Sequence, residues 1–194
     1  MSASIIPTGF PTLDKSLSGG LRAGSLTLVA GRSGMGKTSF MKQMQYLSCH
    51  GFIQIMRKAD ATIVASAAKI VFNIGGILFL DNDKGLPDIT GKKLKELAQE
   101  YQIPIVVATG VSRDCEKRED KHPRLSDLSP DLVNAADLVL ALYRDSYYHC
   151  EDPENTKADV LLLKNVWGKT RKIPMSFDPL TRCWSDPPII KKKK

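Results

Sequence analysis

The sequence predicts an α/β fold: a mainly parallel sheet with helices on both faces and a β-hairpin near its C-terminal end. Three observations carry this. A glycine-rich loop joins a short apolar strand to an amphipathic helix near the N-terminus. Beyond it, apolar runs alternate with helical periodicity, the pattern of parallel strands covered by crossover helices. The last third turns β-rich, with two strands flanking Trp167-Gly168-Lys169.

The elements follow in order. Ser25 to Ala30 is a short apolar strand, and Gly31-Arg32-Ser33-Gly34-Met35-Gly36-Lys37-Thr38 after it is a complete G-x-x-x-x-G-K-[ST] phosphate-binding loop. Its chemistry is that of a triphosphate with Mg²⁺. Glycines let backbone N–H groups curl around phosphates, Lys37 reaches the β and γ oxygens, and Thr38 places a hydroxyl on the metal. Ser39 to Ser48, with Phe40, Met41, Met44 and Leu47 at helical spacing, points its positive end at the same anion. An ordinary glycine-rich turn is the bland alternative, and it leaves the strand before and the helix after unexplained.

From Ala61 to Leu80 the chain is apolar, but Lys69, Asn73 and Gly75-Gly76 interrupt it before Asp81. That predicts two buried core elements rather than a membrane span. The second, Ile77 to Leu80, ends on Asp81, a carboxylate at a strand's C-terminal tip where it can hold the Mg²⁺. Gly91 to Tyr101 carries Leu94, Leu97, Ala98 and Tyr101 on one helical face. Ile103 to Thr109 and Ala136 to Tyr143 are further strands, and Val160 to Lys164 with Lys172 to Phe177 forms the hairpin.

Composition sets bounds on organisation and partners. A chain of 194 residues with 42% hydrophobic content fits one domain, read as 1–187, followed by a basic disordered tail over 188–194. The net charge of +7 favours a polyanionic partner, but without Lys191 to Lys194 only +3 remains. Cys49, Cys115, Cys150 and Cys183 lie far apart, which fits reduced thiols in the cytoplasm. Met1 to Pro11 lacks the pattern of a signal peptide. His149-Cys150 is at most half of a metal site.

Several stretches together resemble a known family. Thr8-Gly9-Phe10-Pro11-Thr12-Leu13-Asp14, Gly19-Gly20-Leu21 and Gly24-Ser25-Leu26 look like the entry to RecA-type motor domains. Pro123-Arg124-Leu125-Ser126-Asp127-Leu128, Ala136-Asp137-Leu138-Val139-Leu140, Tyr143-Arg144-Asp145, and Lys164-Asn165-Val166-Trp167-Gly168 through Phe177 are similar to DnaB-type replicative helicases. The resemblance omits about Gly51 to Gly75. It implies a ring of motor domains on single-stranded DNA, with ATP between subunits. Lys37, Thr38 and Asp81 would handle Mg-ATP, and Lys164 would act across an interface.

The chain departs from that family's pattern in several places. A catalytic glutamate is expected just after Phe52 to Met56, where Arg57-Lys58 stand and Asp60 is the nearest carboxylate. A phosphate-sensing glutamine is expected after the strand ending at Thr109, where Gly110 stands. The finger arginine is replaced by Val166, with Arg171 further along the hairpin. Asp81 follows Lys37 by only 44 residues, so a strand–helix unit is lost or compressed. The DNA-contacting loop reads Ser129-Pro130-Asp131, acidic and short. Arg113, Lys117, Arg118, Lys121 and Arg124 offer an alternative DNA-facing patch, with a solvated charged loop as the competing reading.

Two functions of different class follow from the sequence. One is an ATP-hydrolysing helicase motor on single-stranded DNA. The other is a non-catalytic nucleotide-binding subunit that assembles with a helicase ring. A small-molecule kinase would share the phosphate loop, and the helicase-like C-terminal half argues against it.

Overall fold

The computed structural model describes residues 4–48, 50–55, 59–81, 89–149, 151–152 and 154–187. Met56, Arg57-Lys58, Cys49, Cys150 and the tail expected over 188–194 lie outside the described residues. An antiparallel pair, β1 (Ile5–Ile6) and β2 (Leu21–Arg22), brackets a short helix, α1 (Pro11–Ser16). Then come β3 (Leu26–Ala30), α2 (Lys37–Ser48), β4 (Phe52–Ile55), α3 (Ala61–Ile74), β5 (Ile77–Leu80), α4 (Gly91–Tyr101) and β6 (Ile105–Thr109). The chain continues through α5 (Pro130–Ala135), β7 (Leu138–Arg144), α6 (Asp145–Tyr148), β8 (Lys157–Asn165), β9 (Arg171–Asp178) and β10 (Cys183–Ser185).

Eight of these strands form one sheet, in the order β10-β9-β8-β7-β3-β6-β5-β4. From β7 to β4 all neighbours are parallel, and β8, β9 and β10 extend the sheet antiparallel. Period-two alternation sends side chains to two cores. Along β3, Leu26, Leu28 and Ala30 join the core beneath α3, α4 and α5, while Val29 joins the one beneath α1 and α2. All five β3 residues are buried, which places the strand in the sheet's interior.

The short segment between α2 and β5 folds into one strand and one helix. β4 and α3 are both present, and glycines make the short path feasible. α3 ends on Gly75 in the left-handed region (φ 68°). At Gly76 a Cβ would lie 1.8 Å from the Gly51 carbonyl oxygen, so the backbones of the two connections touch directly. Ile77 N donates to Gly51 O (2.9 Å) beside that contact. The expectation of two buried elements between Ala61 and Leu80 holds for β5 and for one face of α3. Val64, Ala67, Ala68 and Val71 are buried, whereas Ile63, Ile70, Phe72 and Ile74 are exposed. Among the described residues no helix is long and apolar enough to cross a membrane.

Candidate nucleotide-binding site

The phosphate loop leaves the C-terminal end of β3 and enters α2. Gly31 N donates to Thr109 O (3.2 Å), tying the loop's start to the end of β6. Gly34 and Gly36 have φ values of 78° and 95°, a region L side chains avoid. At Gly36 an added Cβ would meet Trp184 Nε1 at 3.0 Å and Phe177 Cε2 at 3.2 Å, so this position is closed to larger residues from both directions. The indole of Trp184, 1% exposed, packs edge-on to Phe40 and Phe177. It donates from Nε1 to Gly36 O (3.2 Å). The far C-terminal strand thus fixes the loop from beneath.

A cavity of about 400 Å³ opens over this loop. Gly36, Lys37 and Thr38 line it together with Arg144, Phe177, Pro179 and Arg182, and among the described residues none that lines it is acidic. Lys37 is nearly buried, and its Nζ donates to Gly31 O (3.0 Å) and Arg32 O (3.2 Å). Arg144 Nη1 donates to Gly34 O (3.0 Å), while its guanidinium lies 3.8 Å from the Phe177 ring centroid. Burial holds the Arg144 pKa below its ordinary value. Positively charged side chains, open backbone and a helix N-terminus suit this cavity to a polyphosphate.

The remaining loop residues play other parts. Met35 is buried, and Arg32 turns away from the cavity. Arg32 Nε meets Glu116 Oε1 (2.8 Å) and Nη1 donates to Val111 O (2.8 Å). The hydrogen bond to Glu116 raises the Arg32 pKa. Ser33 is exposed.

Asp81 follows β5 on the same end of the sheet, with β6 interposed between its strand and β3. It does not line the cavity. The carboxylate is 6% exposed and accepts a hydrogen bond from Gln54 Nε2 on β4 (3.3 Å). A buried carboxylate at the strand tip and the Thr38 hydroxyl are the hard oxygen donors that Mg²⁺ takes. The residues present therefore fit Mg-ATP. Among the described residues no group of three or more His, Cys, Asp or Glu forms a separate metal cluster, and His149 pairs with Glu151 (3.4 Å).

Lys164 lies elsewhere. It stands near the end of β8 opposite Val139, at the start of β7, so it occupies the sheet end away from the phosphate loop. Its Nζ donates to Val133 O (2.8 Å) and Asn134 O (3.4 Å) at the end of α5. The hairpin residue Val166 is exposed, and Arg171 stands on β9 opposite Leu162.

The basic residues after β6 are largely engaged within the chain. Arg118 binds Asp127 with two hydrogen bonds (2.8 and 2.7 Å) and also donates to His122 O (2.9 Å). Lys117 meets Asp114 (2.7 Å), Lys121 stands over the Tyr148 ring (4.8 Å), and Arg124 reaches Asp120 (3.8 Å). Arg113 is exposed without an ion pair among the described residues. Ser129-Pro130-Asp131 is not a loop: it is the start of α5, where proline suits the first turn. Asp131 Oδ2 accepts from Gly91 N (2.7 Å), capping α4. Asp60, the nearest carboxylate to the expected glutamate position, caps α3 by accepting from Ile63 N (2.9 Å).

Arg182, Pro179, Trp184 and Gln54 carry no local sequence signal for this site, and Arg144 and Phe177 stand out only within the family resemblance. They come from strands and a turn more than 100 residues after the loop or from an edge strand, and only the sheet order brings them in. Trp184, the one tryptophan near the C-terminus, was the available hint.

Fold and loop together define a P-loop domain of RecA-like architecture. A structure of a DnaB-like replicative helicase and its interactions with primase superposes with a TM-score of 0.82 over 96% of this chain and 64% of that one, at 19% identity. A solved ATPase domain gives 0.80 over 96% of this chain and 92% of that one, also at 19% identity. The RadB recombinase gives 0.68 over 94% of this chain and 100% of that one, at 17% identity. The sequence profile of the DnaB-like helicase C-terminal domain matches residues 5–67 and 83–186, and the chain belongs to that family. The match takes in residues 51–67, which the resemblance read from motifs had left out.

The replicative DNA helicase DnaB of Leifsonia xyli is 34% identical over 97 residues, 49% of this chain and 21% of the relative. The replicative DNA helicase DnaC of Bacillus subtilis is 33% identical over 88 residues, 44% of this chain and 19% of the relative. The matched stretch is thus about a fifth of those relatives' length.

Proposed function

We propose that this chain binds Mg-ATP in the cavity over the phosphate loop, as the nucleotide-binding domain of a replicative-helicase assembly on single-stranded DNA in the cytoplasm. The observation that carries this reading is the cavity over the phosphate loop, lined by Lys37, Thr38, Arg144 and Arg182. Lys37 would hold the phosphates, and Thr38 with Asp81 would hold the metal. Bound Mg²⁺ would neutralise phosphate charge and order the triphosphate. Lys164 faces the opposite end of the sheet, which is compatible with work on a neighbouring copy in a ring. Arg113, Lys117, Lys121 and Arg124 remain candidates for DNA phosphates, whereas Arg118 is spent on Asp127.

A second reading, nucleotide binding without turnover, is favoured by particular observations. Asp60 is committed to capping a helix, and the expected finger position is the uncharged, exposed Val166. At Gly110 nothing lies within 4 Å of an added Cβ, so the expected sensing side chain has room but is absent. Losing a general base alone typically costs ~10²–10⁴ in rate.

Mg-ATP binding and steady-state hydrolysis, measured with and without single-stranded DNA against Lys37→Ala, separate the two. Binding with DNA-stimulated turnover, both lost in the mutant, supports the motor. Tight binding with turnover at the mutant's level supports a nucleotide-gated subunit. Absence of binding sinks both.

A further inference from the structure

Resting on that reading, we infer that Arg182 is a nucleotide-positioning residue, gripping the phosphates of a nucleoside polyphosphate from within the same chain. Three cations line the cavity, and two already have partners. Lys37 is folded onto the loop's own carbonyls, and Arg144 is held by Gly34 O and the Phe177 ring. Arg182 also lines the cavity, yet among the described residues its guanidinium has no ion pair and no hydrogen bond. An unpaired cation sharing a cavity with two others, and with no acid among its described lining residues, gains most when a polyanion enters.

Backbone geometry supplies an independent argument. Arg182 has φ 57°, in the left-handed region that a non-glycine residue seldom occupies. The turn leading to it is wound by Asp178, whose carboxylate accepts from Leu180 N (2.8 Å) and from Thr181 Oγ1 (2.7 Å). Glycine would take this position without strain, so folding alone does not call for an arginine there. Two residues on, buried Trp184 donates to Gly36 O (3.2 Å). The guanidinium is therefore carried on a frame keyed directly to the phosphate loop, and its planar fork matches phosphate oxygens.

The test compares the full chain with Arg182→Gly, Arg182→Lys and Lys37→Ala, measuring ATP affinity by calorimetry at two salt concentrations and thermal unfolding in parallel. Arg182→Gly is expected to melt no lower than the wild type while ATP affinity falls about 10-fold. Arg182→Lys should recover part of that affinity, and raising salt should shrink the difference. Wild-type affinity retained within about twofold in Arg182→Gly, with Lys37→Ala still impaired, overturns this inference and leaves nucleotide binding standing. A parallel loss of melting temperature and affinity in Arg182→Gly overturns it in favour of a structural role. Failure of the wild type to bind ATP would instead remove the reading beneath it.

Discussion

Trp184 is the residue through which the C-terminal strand is expected to control the phosphate loop, and replacing it tests that coupling. Its ring is 1% exposed and lies between Phe40 (5.4 Å) and Phe177 (5.2 Å), with Nε1 on Gly36 O. Truncation to alanine removes the ring contacts, the hydrogen bond and the floor under the loop. Large-to-small changes at such buried aromatics cost about 3–5 kcal/mol. Phenylalanine keeps much of the packing and loses chiefly the indole N–H, a cost of about 1–2 kcal/mol. In a domain of this size each kcal/mol shifts the melting temperature by about 2–4 °C. Trp184→Ala should therefore melt roughly 6–20 °C lower, and Trp184→Phe roughly 2–8 °C lower. Circular dichroism against temperature and urea gives both values, and calorimetry at a temperature where all variants are folded gives ATP affinity. Because Gly36 O loses the indole donor in either variant, affinity should drop in Trp184→Phe beyond what its stability explains. Equal destabilisation by both substitutions would refute the assignment of energy to the packed ring. Full ATP affinity in a folded Trp184→Ala would refute the anchoring of the loop.

Other perturbations have defined outcomes. The two hydrogen bonds from Arg118 hold the Asp127 carboxyl below its usual range. Its stabilisation is complete above the unfolded value near ~4 and is lost as pH falls through the depressed folded value. Asp127→Asn should cost about 2–4 kcal/mol at pH 7 and flatten the acid limb of the stability profile, checked by urea unfolding between pH 2 and 7. Lys95 Nζ bridges Asp137 Oδ2 (2.6 Å) and Gly24 O (2.9 Å), and the same Asp137 oxygen accepts from Leu26 N (2.8 Å). Lys95→Met should lose about 3 kcal/mol, and adding Asp137→Asn should restore part of it in a double-mutant cycle. The two glycines flanking the site should behave oppositely. Gly36→Ala, crowded by Trp184 and Phe177 at φ 95°, should lose stability and ATP affinity together. Gly110→Gln, with open space around its Cβ, should stay within about 0.5 kcal/mol of wild type by the same unfolding assay.

How far the sequence speaks depends on whether a feature is set locally. The phosphate loop was legible because strand, glycines and helix are contiguous, and Gly91–Tyr101 was legible to the residue because its periodicity and its stop coincide. Ser129-Pro130-Asp131 misled because loop and helix start use the same residues. Only the Gly91 N–H, 40 positions away in sequence, shows that Asp131 is a cap. The basic cluster after β6 left a phosphate-facing patch and a solvated charged loop both open, because charge composition does not reveal pairing, and the Asp127 that pairs with Arg118 sits nine residues on. The cavity's far wall was the least legible part. Three-residue β10 carries no periodic signal of its own, and it forms only because β9 presents an edge to it. Yet that short pairing brings Trp184 beneath Gly36 and Arg182 to the mouth of the cavity. The phosphate loop is a local motif, but the site it belongs to is a product of sheet order, with one wall supplied by the β9–β10 turn and by Trp184.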